Sequence, residues 1–133
     1  MSVLAATIIS INIWADGGYS AYRTCEGYYV GFRDERHYQM KVWQDEDRVH
    51  VIIHSNTAGL TGTNEVGEVY RVLGNLHIIA NLRGNEPMEF MLSDRLALFC
   101  SNGDSLVLRA SARLIITGNS AVLSDLKVET SCR

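Results

Sequence analysis

Tyr38-Gln39-Met40-Lys41-Val42-Trp43-Gln44-Asp45-Glu46-Asp47-Arg48-Val49-His50-Val51-Ile52-Ile53-His54-Ser55 decides the fold class. Two runs alternate with a period of two around an acidic tip, as the arms of a β-hairpin do. Closing the turn over Asp45–Arg48 sets Val42 opposite Val51 and Met40 opposite Ile53. The same closure sets Trp43 opposite His50, Lys41 opposite Ile52 and Gln39 opposite His54. Successive side chains of a strand point to opposite faces, so one face is apolar. The other carries His37, Gln39, Lys41, Trp43, His50 and His54.

The same grammar extends to both ends of the chain. Upstream, Tyr28–Arg33 and Glu35–Gln44 read as two strands. Val3–Trp14 reads as a first strand because it is rich in β-branched residues. Asp16-Gly17-Gly18 breaks that strand, and Tyr19–Gly27 reads as a polar loop. Downstream, Val49–Ser55, Glu65–Leu73, Leu76–Leu82, Met88–Leu92, Arg95–Cys100, Leu106–Thr117 and Ala121–Glu129 read as strands. Turns fall at Gly74-Asn75, Arg83–Pro87, Asn102-Gly103 and Gly118-Asn119, with a loop over Thr57–Asn64. The Gly118-Asn119 turn pairs Ile116 with Ala121, Leu114 with Leu123, Ile115 with Val122 and Ser111 with Leu126. Both faces of that hairpin are then partly apolar, which suits either a sheet covered on its second side by a partner subunit or a β-bulge that swaps faces. No run shows helical spacing. The expected fold is all-β: a small antiparallel β-barrel or two-sheet β-sandwich of about 8–10 strands with little helix.

A chain of 133 residues fits a single domain spanning 1–133 and can bury a core without metal or disulfide staples. Net charge is −3 with acids and bases interspersed, so the basic cluster of a nucleic-acid binder is missing. No apolar run is long enough to span a membrane as a helix. Val3–Trp14 lacks a preceding basic residue and is interrupted by Ser10 and Asn12, which argues against a signal peptide. Of three cysteines, Cys100 ends an apolar run and reads as a buried small hydrophobe. Cys25 and Cys132 stand in polar settings and could pair in an oxidising compartment. The odd count favours free thiols and a cytoplasmic rather than secreted protein.

Motifs for chemistry are sparse. His50 and His54 lie about 13 Å apart along a strand, too far to share an ion, and no metal or cofactor is expected. There is no nucleophile elbow, phosphate loop or dinucleotide fingerprint. Aromatics are concentrated instead: seven of eleven fall within residues 19–43. Tyr and Trp combine a flat apolar surface with a polar tip, which suits a ligand grip. The candidate site is therefore the mixed face. Tyr29 and Trp43 serve as walls, His37, Gln39, His50 and His54 as polar contacts, and Arg33 as an anion partner. The leading functional reading is a noncatalytic β-barrel that binds a small organic ligand in an aromatic and His-lined pocket. The alternative is a protein-interaction or structural module, a homo-oligomer joined through its C-terminal sheet. A small enzyme using His or carboxylate acid/base chemistry ranks third.

Overall fold

The computed structural model describes residues 6–84 and 87–132. It is all-β: β1 (Ala6–Arg23), β2 (Tyr29–Asp45), β3 (Arg48–Asn56), β4 (Thr61–Thr63), β5 (Val69–Arg83), β6 (Met88–Cys100), β7 (Ser105–Thr117) and β8 (Ser120–Cys132). All eight belong to one antiparallel sheet ordered β1-β2-β3-β5-β6-β7-β8, with β4 between β2 and β5. β4 continues the lane of β3, since Asn56 faces Asn75 and Thr61 faces Arg71. The sheet thus has seven lanes.

The strands are longer than the turn residues suggest. Asp16-Gly17-Gly18 forms a bulge inside β1 rather than ending it. Gly18 adopts φ 87°, and its N–H donates to Asp16 Oδ1 at 2.8 Å. That bond, aided by Arg33 Nε at 2.6 Å, holds the Asp16 carboxyl below the usual carboxylate range. Tyr28–Arg33 and Glu35–Gln44 fuse into β2, and the expected break at Gly74-Asn75 is strand. Gly74 is there for space: a Cβ would stand 3.1 Å from the Arg36 guanidinium carbon. Glu65–Glu68 is a turn, closed by Asn64 N–H on the Glu68 carbonyl, not the start of a strand. The expected start of the first strand at Val3 and the Asn85-Glu86 turn residues lie outside the described residues.

Register bears out the 38–55 hairpin pair by pair. In the last hairpin Ile116 faces Ala121 and Leu114 faces Leu123. A bulge between Ser111 and Arg113, with Asp125 at φ 53°, then moves Ser111 from Leu126 onto Lys127. The extra residue re-aims the lower half of β8.

Alternate residues of β2, β5, β6 and β7 build one core: Val30, Phe32, Tyr70, Val72, Leu96, Leu98 and Leu106, with Tyr22, Leu60, Cys100 and Leu108 packed against it. Of the expected core aromatics, Phe32 is buried, whereas Tyr28 and Tyr38 are half-buried. The core fills only one end of the sheet, and Cys25 and Cys132 are joined there in a disulfide with Cα atoms 6.1 Å apart. Cys25 follows β1 and Cys132 ends β8, so the bond clasps the two sheet edges and curls the core face inward. This overturns the expectation of free thiols and cytoplasmic residence, because such disulfides persist in oxidising surroundings. Cys100 remains free and is half-buried rather than fully buried.

Two polar devices sit in this interior. Arg36 is buried between Asp34 (2.9 Å) and Asp94 (3.5 Å). Burial opposes its charge, but the two carboxylates more than offset this and raise its pKa. Tyr70 Oη donates to Asp104 Oδ2 at 2.5 Å, and Asp104 is only 2% exposed. Burial and that bond push the Tyr70 phenol well above its ordinary value.

The clasp closes a loop with a sequence separation of 107. Chain-entropy reasoning assigns such a loop about 4–5 kcal/mol. Replacing both Cys25 and Cys132 with Ser should lower the melting temperature by roughly 10–20 °C. Circular dichroism melts of both forms check this, and coincident melts would show that the clasp holds nothing. Tyr70→Phe leaves the buried Asp104 carboxyl without its donor and should cost about 1–3 kcal/mol, read from the urea midpoint.

Candidate functional site

Register carries polar residues across the whole outer face. One row runs Trp14, His37, Asn56, Asn75, Arg95, Arg109 and Glu129 from lane to lane. The next row runs Asn12, Gln39, His54, His77, Ser93, Ser111 and Lys127. Two adjacent rows of seven contain no aliphatic side chain. Neighbouring strands lie about 4.8 Å apart, so six steps make a belt about 29 Å long. The belt runs across the strands, and all of its residues are exposed or half-buried.

On β1 to β5 the belt is ordered by its own contacts. Trp14, 64% exposed, lies 5.1 Å from the His37 ring, centroid to centroid. His54 Nε2 is hydrogen-bonded to Asn75 Oδ1 at 2.8 Å. The His54 and His77 rings meet edge-on at 5.9 Å.

On β6 to β8 the belt turns cationic. Arg95 sits directly opposite Arg109, and Lys127 occupies the neighbouring row. Like charges directly opposite in a sheet are unfavourable. Glu129 faces Arg109 in register. Among the described residues, however, none of Arg95, Arg109 and Lys127 forms an ion pair. The three cations, with Ser93, Ala110, Ser111 and the carboxylates of Asp94 and Glu129, line an open depression of about 350 Å³, and Asp94 is already engaged by Arg36.

Only part of the candidate site inferred from the sequence comes together here. His37, Gln39 and His54 lie in the belt. Trp43 stacks on His50 at 5.0 Å, and His50 is hydrogen-bonded to Asn81. That pair stands about 13 Å further along the strand from Gln39. Tyr29 and Arg33 are elsewhere. Tyr29 is fourteen residues from Trp43 on the same strand, about 46 Å. At the clasped end its N–H donates to the Glu65 carboxylate, and Arg33 pairs with Asp16. Tyr29 and Trp43 therefore do not wall one pocket.

The arrangement offers hydrogen-bonding side chains and positive charge. Among the described residues no group of three or more His, Cys, Asp or Glu comes together to hold a metal ion. On the inner face, an apolar depression of about 220 Å³ is lined by Ile11, Ile13, Tyr38, Met40 and Ile53. Reading the hairpins singly misses Asn12, Trp14, Asn56, Asn75, His77, Ser93, Arg95, Arg109, Ser111 and Lys127. The signal for them is the register of the whole sheet, which needs β5 and β6 as unbroken strands. No helix of the described residues is long and apolar enough to cross a membrane. No family model, curated protein or solved structure matches the chain.

Proposed function

We propose that the protein is a noncatalytic interaction module that associates with a second copy of itself through its C-terminal edge strand. One observation carries the reading. Val122, Leu123, Leu126 and Val128 of β8 are between 55% and 63% exposed. β8 is an edge strand, so its outer backbone groups have no strand partner among the described residues. Isolated exposed apolar residues are ordinary, but four on one edge beside a free ladder mark a contact surface.

The energies fit a reversible dimer. A two-fold contact buries eight such side chains. At about 1.5–3 kcal/mol for full burial of each, scaled by exposure, the gross gain is about 7–14 kcal/mol. Association costs about 4–15 kcal/mol, so the net is modest. A two-fold axis suits the geometry because β8 then meets its own copy antiparallel. The Asp125 bulge and Lys127 protect the middle of the edge from indiscriminate pairing. Specificity is left to the apolar positions on either side.

Light scattering after size exclusion tests the proposal. The protein should run as a dimer at tens of micromolar and dissociate on dilution. Leu123→Arg with Leu126→Arg should give a monomer with an unchanged melting temperature. A native chain that stays monomeric at the highest soluble concentration overturns the reading, as does a variant that remains dimeric.

A further inference from the structure

We propose that the outer-face belt is a binding platform for an extended glycan that carries acidic groups, its carboxylate or sulfate held at β6 to β8. This goes beyond self-association: the two surfaces share the stretch of β8 around Lys127, but the belt lies on the outer face of the sheet and the self-association runs along its edge.

Shape comes first. The belt is open and runs about 29 Å across seven lanes, so it suits a polymer laid over a surface better than a small molecule enclosed in a pocket. An extended peptide would add along a strand edge, whereas the belt crosses the strands.

Chemistry narrows the class further. Asn and Gln amides and neutral His both donate and accept hydrogen bonds, as sugar hydroxyls do. Asn12, Gln39, Asn56, Asn75 and His77 present such groups over the first four lanes. Trp14, 64% exposed, adds a flat apolar surface at the outer lane on which the carbon face of a sugar ring can rest.

Charge fixes the polarity. Arg95 and Arg109 stand side by side in register with Glu129 at the end of their row, and Ser93, Ser111 and Lys127 make up the adjoining row. An anion set there relieves the repulsion of the two guanidiniums and accepts charge-assisted hydrogen bonds from both. Within the two rows of the belt the cations are confined to three lanes, so the ligand is neutral over most of its length and acidic at one place. A nucleic acid would place phosphates at every step and need several stacking platforms, and the belt offers one exposed Trp.

The test is calorimetric titration of the disulfide-bonded protein with four probes: a polyuronate hexasaccharide, a heparin hexasaccharide, neutral cellohexaose and an oligothymidylate. One of the two acidic glycans should bind saturably, and added salt should weaken it. The tighter of the two identifies carboxylate or sulfate as the acidic group. Arg95→Ser with Arg109→Ser should weaken that binding about tenfold or more while leaving the melting temperature unchanged or higher. Trp14→Ala should weaken cellohexaose and the acidic glycan alike. Absence of saturable binding to either acidic glycan overturns the proposal. Equal binding by the double variant overturns it too, and so does tighter binding of the oligothymidylate.

Discussion

The Cys25–Cys132 bond is the constraint on which the rest of the molecule depends. Seven antiparallel lanes are an odd number, so β1 and β8 run in the same direction. Closing the sheet by backbone pairing would require one parallel ladder among six antiparallel ones. The disulfide joins the same ends of both strands without that ladder. Beneath it the inner faces of β2, β5 and β6 converge on Tyr70, Leu98, Val30 and Phe32. Away from it nothing draws the edges together, and Ile11, Ile13 and Leu123 stand exposed. The core thus lies at the end of the sheet that the covalent bond holds closed.

The buried polar pairs mark the boundary between those halves. Arg36 reaches from β2 past Gly74 to Asp94 on β6 and ties non-adjacent lanes together where apolar packing thins. Its position depends on the missing side chain at Gly74. A buried ion pair is weak evidence for stability, since desolvation cancels much of its attraction. What it does supply is register, because a shift of one residue would put Arg36 on the outer face and leave Asp94 alone.

How much was legible in the sequence follows from the range of the signals. The 38–55 hairpin could be read residue by residue because a short turn closed over Asp45–Arg48 fixes register and alternation fixes faces. Strand lengths could not, because Asp16-Gly17-Gly18 and Gly74-Asn75 have turn composition but other uses: a bulge in one case, room for a guanidinium in the other. With β5 cut at Gly74, Asn75 and His77 lose their neighbours across the sheet. The aromatic concentration in residues 19–43 also misled, because proximity in sequence is distance along a strand. Tyr29 and Trp43 share β2 and a face and stand at opposite ends. Cys25 and Cys132 show the converse, being remote in sequence and adjacent in space.

The outer face is where sequence distance and function part most completely. Arg95, Arg109 and Lys127 are spread over three strands in a chain of net charge −3 and form no cluster in one dimension. Two hairpin registers and one bulge bring them side by side. Without the bulge at Asp125, Leu126 rather than Lys127 would face Ser111, and the depression would lose one of its three cations to an apolar side chain. The same extra residue that shields the β8 edge therefore also completes the charged end of the belt. Both surfaces are tuned by one local feature, and their positions are fixed by a disulfide at the far end of the strand.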